Sequence, residues 1–287
     1  IFIPQFYNIK FWFSDKILQQ LALIQYFVDQ ITDENCKRLF LLVFAETIRQ
    51  VSYTRNHEFK LYKMKQQDLN DFNPNVIEIY FNKLTKVIAI YKNFYLPLLQ
   101  KQQIKIQNHV FQPIENYYDI VLTSPPYGDS KTTVAYGQFS LFANEWLGFT
   151  QARKIDNTLM GGKTTKLLYL KGLIADYINE IDKACPKRAL QVSSFYQDLS
   201  NSIAEVASRV KKNGKIIYIV GNRRVKNIQL ATDQFIAEQF SMHNFNHVVT
   251  YKRLLSSKVM PSKNSPSNKK NHKLNTMKYE YIVICEK

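Results

Sequence analysis

Tyr118-Asp119-Ile120-Val121-Leu122-Thr123-Ser124-Pro125-Pro126-Tyr127 decides how this chain is read. The first half is apolar apart from one acid and reads as a buried β-strand. The second half cannot continue that strand. Each proline lacks a backbone N–H and fixes φ, so two in succession turn the chain out at the strand's carboxyl end. In open α/β sheets that end is where ligands bind. The residues that follow, Gly128-Asp129-Ser130, form a polar loop. Ser124 brings a hydroxyl, Pro125 a carbonyl that no regular ladder uses, and Tyr127 an aromatic face. Together they suit a flat ring bearing an amine.

Working outward, strands alternate with helices from residue 103 to the end. Ile104-Lys105-Ile106 is a short strand, Tyr118 to Thr123 a stronger one, and Lys215 to Val220 a third. Helices are predicted at about 167–183 and 188–210, with Asn213-Gly214 as the stop before the third strand. Thr232 and Asp233 are expected to cap a helix reaching about His243, and strands follow at 246–254 and 278–285. This is the α/β class, a doubly wound sheet ending in an antiparallel pair. Residues 1–102 read as a helical segment packed on that sheet. Ser14 and Asp15 cap a helix with Ile17, Leu18, Leu21, Ile24, Phe27, Val28 and Ile31 at helical spacing, and further helices run from Asp33 to Val51 and from Asn75 to Leu96. The division predicted is therefore a helical part, 1–102, and a catalytic part, 103–287.

Lys and Arg number 39 against 23 Asp and Glu, a net charge of +16 that favours a polyanionic partner. From Tyr251 to Lys278 there are eight Lys or Arg residues and no acid, in a stretch rich in Ser, Asn and Pro. Such a loop is either a solvated charge run or a contact for a nucleic-acid backbone, and its place between two strands favours the second. Lys252, Arg253, Lys258, Lys263, Lys269 and Lys270 are the candidate DNA contacts there, joined by Arg223, Arg224 and Lys226. No apolar run reaches the roughly 18 residues that span a bilayer, and no signal sequence opens the chain, so a cytoplasmic protein without a membrane partner is expected. Cys36, Cys185 and Cys285 are scattered and odd in number, and the five histidines show no ligand pattern, so no metal is assigned.

Ser124-Pro125-Pro126-Tyr127 resembles the catalytic motif of the DNA amino-methyltransferases, which methylate exocyclic amines of cytosine or adenine with S-adenosylmethionine. A leading Ser is typical of the cytosine-N4 members. The segments from Gly128 to Ser140, Asn144-Glu145-Trp146-Leu147-Gly148, Val220 to Lys226, Met260 to Lys269 and Thr276 to Tyr281 also look like recurring stretches of one branch of that family. The resemblance implies a Rossmann-like S-adenosylmethionine-dependent methyltransferase sheet, double-stranded DNA as partner and a target base flipped out of the helix. Ser124, Pro125, Pro126 and Tyr127 would be catalytic. Thr123, Asn108 and Asp129 would be cofactor contacts, although Asp129 serves equally well as a cap of its own turn.

One family feature is missing. None of the eight glycines stands in the strand-Gly-x-Gly-helix setting of a cofactor loop, and Gly161-Gly162, the nearest approach, lacks a preceding apolar strand. The sheet is accordingly expected to be partial, its first strands and glycine loop lying on a second polypeptide or on an omitted amino-terminal part. An isolated chain is then expected to be inactive. Adenine-N6 methylation and a non-catalytic DNA-binding subunit stay open as alternatives.

Overall fold

Ile216, Tyr218 and Val220 are buried, Ile217 and Ile219 only partly, the alternation of a strand packed hard on one face. In the computed structural model this strand lies inside a four-stranded sheet. The structure describes residues 2–55, 60–101, 118–129, 136–255 and 277–287, together with the backbone of 263–264 and 274–275. The strands are β1 (Tyr118–Thr123), β2 (Val210–Val220), β3 (Asn246–Leu254) and β4 (Tyr279–Glu286), in the spatial order β1-β2-β4-β3. β1 runs parallel to β2, and β4 is antiparallel to both β2 and β3. The closing antiparallel pair is as the sequence predicts. The strand candidate at Ile104 lies outside the described residues.

β1 differs from expectation. It is the edge of this sheet, and Ile120 and Leu122 are 62% and 65% exposed, so only its Val121 packs against the core. An apolar strand reads as buried on both faces because parallel strands usually are. Here its second neighbour is not among the described strands.

The Asn213-Gly214 pair also serves another purpose than a helix stop. The preceding helix ends at Arg209 and Val210 is already extended. Register then jumps from Tyr118↔Val210 to Ile120↔Lys215, so the intervening residues bulge out of the ladder, with Asn213 at φ 63°. The chain's last residue ties the bulge down: Asn213 N donates to the Lys287 carbonyl at 2.8 Å and Lys287 N to the Gly214 carbonyl at 3.0 Å.

The longer helices, in chain order, are α1 (Asp15–Asp29), α2 (Glu34–Gln50), α3 (Val76–Ile90), α4 (Tyr136–Trp146), α5 (Ile174–Ala184), α6 (Pro186–Arg209) and α7 (Thr232–Ser241). α5, α6 and α7 cover one face of the sheet, where Ile178, Phe195, Tyr196, Leu199, Phe235 and Phe240 meet Ile216, Tyr218, Val220 and Val283. α5 begins seven residues later than its apolar pattern suggests, because the Leu173 N–H is taken by the Glu238 carboxylate of α7, at 3.1 and 3.2 Å to its two oxygens.

Thr232 and Asp233 lie inside the first turn of α7 and do not cap it. Asn222, just beyond β2, does so instead: its Oδ1 accepts from Asp233 N at 3.1 Å while its Nδ2 donates to Asp233 Oδ1 at 2.7 Å. This reciprocal pair pins the end of β2 to the start of α7. Asn222→Ala is expected to cost about 1 kcal/mol, read as a lower midpoint in urea unfolding.

The chain divides into two compact units, Ile1–Val110 with Val134–Asp156 and Phe111–Thr133 with Asn157–Lys287. The predicted boundary near residue 102 therefore needs amending: α4, read with the catalytic part, belongs to the helical unit. The reason is its apolar face. Leu141, Phe142 and Trp146 are buried with Phe13, Leu21, Phe44, Ile48 and Tyr80, and Phe142 lies 5.2 Å from Phe13 between ring centroids. The caps of the first three helices are those the sequence announces. Ser14 Oγ accepts from Ile17 N, Asp33 Oδ1 from Cys36 N and Asn75 Oδ1 from Glu78 N.

Candidate active site

Pairing between β1 and β2 ends at Thr123↔Tyr218, so Ser124, Pro125 and Pro126 lie past the ladder at the strand's carboxyl end. Ser124 is exposed, Pro125, Pro126 and Tyr127 are half-buried, and Gly128 and Asp129 are buried. The chain thus leaves the sheet at Ser124 and dives back at Gly128. Tyr127 returns against the end of β2: a Cβ on Gly221 would fall 2.7 Å from the Tyr127 ring, a space that only glycine leaves open.

The Tyr127 hydroxyl donates to Glu280 Oε1 at 2.9 Å. Glu280 stands on β4 directly across from Arg253 of β3, and the Arg253 guanidinium binds its other oxygen. Burial raises the Tyr127 pKa, the Glu280 contact raises it further, and an opposing hydrogen bond from Ser124 lowers it; the net direction is upward, so the phenol stays protonated. For Glu280, burial is the largest single influence and raises its pKa, but the hydrogen bonds from Arg253 and Tyr127 outweigh it and the net direction is down. The pair thus stabilises the fold above the ordinary carboxylate value of 4.5 and loses that contribution as pH falls through the lower folded value. Sequence reading left Glu280 out of the site. Its signal there was only an acid in an otherwise apolar strand near the carboxyl terminus.

Asp129 is 1% exposed and lies between two arginines, with Arg223 Nη1 at 3.0 Å and Arg188 Nη2 at 3.2 Å from the same oxygen. Neither of the two readings left open for Asp129 describes this arrangement: the carboxylate is a buried counter-ion. Arg223 must be corrected with it. Only 10% of its side chain is exposed, it lies 5.7 Å over the Phe195 ring, and it does not present a charge to a DNA surface. Gly161 also finds its role here. At φ +67° it packs on Asp129, whose Cβ would be 2.8 Å from an added Cβ, and its N–H donates to Asp198 at 2.8 Å. The glycine pair that most resembled a cofactor loop supports the motif loop instead.

Arg224 and Lys226 are exposed on a tight hairpin in which Lys226 and Asn227 have positive φ. Lys252 is exposed and sits 4.2 Å over the Tyr279 ring, while Arg253, half-exposed, is committed to Glu280. The side chains of Lys258, Lys263, Lys269 and Lys270, and all of Asn108, lie outside the described residues. Lys263 is known only as part of a short antiparallel pair with Asn275. Among the described residues no group of His, Cys, Asp and Glu side chains is arranged to hold a metal, and no helix is long and apolar enough to cross a membrane.

Comparison with known proteins supplies the deciding observation. No protein-family model matches the chain. Over 307 aligned residues it is 38% identical to the type II methyltransferase M.MvaI of Kocuria varians, an alignment that takes in 99% of this chain and 67% of that protein. The chain belongs to the type II methyltransferase family. DNA methylation within restriction-modification is therefore its activity class, and a methyl donor is required. A solved chain described as a DNA modification methylase from Thermus thermophilus is 16% identical, with a TM-score of 0.25 over 39% of this chain and 40% of that one, and carries no argument here.

For a type II methyltransferase the described residues form only part of a site. They gather an exposed hydroxyl, a carbonyl beyond the ladder and an anchored aromatic ring at one strand end. They do not build a cradle for S-adenosylmethionine: Gly161 is taken by Asp129, the Gly221 space by Tyr127, and neither opens a helix after a strand.

Proposed function

We propose that this chain carries the amine-recognising half of a DNA methyltransferase that acts on cytosine N4 of a flipped-out base. The observation that carries the reading is the exposed Ser124 hydroxyl beside the Pro125 carbonyl, past the end of the β1 ladder and next to the anchored Tyr127. The N4 amine is a poor nucleophile because its lone pair is delocalised into the ring. Its two N–H groups meet two acceptors, Ser124 Oγ and the Pro125 carbonyl. Hydrogen bonds to both favour a tetrahedral nitrogen whose lone pair is free, which is catalysis by positioning and electrostatics. Tyr127 stacks on the ring. Its hydroxyl bond to Glu280 fixes the plane on which the base must lie.

Extruding the base costs a few kcal/mol, which contacts to the duplex recover. Arg224, Lys226 and Lys252 are the described cations left to supply them to the phosphate backbone; Arg223 and Arg253 are engaged elsewhere. S-adenosylmethionine is the donor in this reading, with Thr123 and Asn108 as the remaining candidate contacts in this chain. Its glycine cradle lies outside the described residues, on a second polypeptide or a further part of the same one. The chain spans 67% of the length of its Kocuria relative, which leaves room for such a part.

Hydrolysis of the modified DNA to nucleosides, followed by mass analysis, tests the reading. N4-methylcytosine is expected. N6-methyladenine in its place would move the same geometry to adenine, and no modified base in a complete, donor-binding assembly would leave a DNA-binding subunit.

A further inference from the structure

Three polar side chains join the exposed Ser124 to the inner strands of the sheet, and the direction of their hydrogen bonds is determined by counting protons. A tyrosine hydroxyl has one proton to give. That of Tyr127 goes to Glu280 Oε1, 2.9 Å away. Glu280 cannot give one back, because the Arg253 guanidinium holds its other oxygen and Arg253 and Glu280 are direct cross-strand partners. The Tyr127 oxygen is thus left as an acceptor. Ser124 lies within reach to donate to it, the sense in which the two hydroxyls interact. A serine hydroxyl also has one proton, so once that is committed to Tyr127 the Ser124 oxygen faces outward with lone pairs alone.

We propose that Glu280 is a positioning residue for methyl transfer, orienting the Tyr127 and Ser124 hydroxyls so that Ser124 Oγ can only accept a hydrogen bond from the substrate amine. This rests on the reading of Ser124 as the amine's partner. An unoriented serine spends part of its time pointing its proton at the amine, where it competes for the lone pair that must attack. The Glu280 carboxylate removes that state. Neither Glu280 nor Arg253 touches the base in this arrangement, and their effect reaches it through Tyr127.

The test is a double-mutant cycle in the complete methyltransferase. Tyr127→Phe keeps the ring and deletes the relay. Glu280→Gln keeps the shape but can offer an N–H to the Tyr127 oxygen, which reverses the chain. Each single variant is expected to lower kcat about tenfold, the worth of one oriented hydrogen bond, with KM for DNA changed less than about twofold. The double variant is expected to be no slower than Tyr127→Phe alone. Wild-type kcat in Tyr127→Phe, or losses that multiply in the double variant, would overturn the proposal, as would losses confined to KM. Tyr127→Phe decides the matter even if Glu280→Gln fails to fold. Failure of the underlying reading looks different: Ser124→Ala would then retain full activity, whatever the cycle shows.

Discussion

Ser124→Ala is expected to lower methyl transfer at least about 100-fold while leaving DNA affinity within about twofold and the unfolding midpoint unchanged. Removing one preorganised polar group aimed at developing charge typically costs a factor of about 10² to 10³. Stability is expected to hold because Ser124 is exposed and past the end of the ladder, so its hydroxyl supports no packing and no strand pairing. Its only described partner is Tyr127, which keeps its bond to Glu280 without it. The measurement is transfer of a labelled methyl group to a duplex, paired with fluorescence anisotropy for binding. Retention of more than a tenth of the wild-type rate would show that Ser124 does not receive the amine. Loss of binding together with rate would make it a DNA contact.

Local signals were legible in the sequence and long-range ones were not. Ser14, Asp33 and Asn75 each accept a backbone N–H three residues on, so cap and helix start could be read from adjacent letters. β3 falls at 246–254 as predicted, and the turn forced by Pro125-Pro126 does end β1. The errors arise where two distant segments meet. Arg223 sits in a basic run and reads as surface charge, yet its partner Asp129 lies 94 residues earlier and draws it inside. Glu280 is 153 residues from Tyr127, and nothing near it in the chain marks it as a site residue. Gly161 looks like half of a cofactor loop because a glycine that accommodates a neighbouring Cβ and one that accommodates a ligand are the same letter. Asn213 follows the same logic: positive φ ends a helix or bulges a strand, and only the pairing of β1 with β2 decides which.

Asp129→Ala is expected to destabilise the sheet-bearing unit by about 3–5 kcal/mol, the usual cost of removing one member of a buried ion pair. Asp129 is 1% exposed, and the Arg188 and Arg223 side chains that share its oxygen are 17% and 10% exposed. Water cannot readily replace the lost carboxylate. Burial is already the main force lowering the Arg188 pKa, followed by the charge of Arg223, and Asp129 is what opposes both. Without it the two guanidinium groups repel each other in a poorly solvated space. Asp129→Asn, which keeps the shape and one acceptor, is expected to recover part of the loss. Pairing Asp129→Ala with Arg223→Leu should cost less than the two single changes added together, because the second substitution removes the charge that the first one stranded. Urea unfolding monitored by far-ultraviolet dichroism measures all four proteins, and a loss below about 1 kcal/mol for Asp129→Ala would class the pair with exposed salt bridges. Catalysis responds to the same change by another route. Asp129 is two residues past Tyr127, so releasing it frees the segment that returns Tyr127 to the sheet, and activity is expected to fall together with stability. In Ser124→Ala activity falls alone. The contrast separates the residue that meets the amine from the one that holds its loop in place.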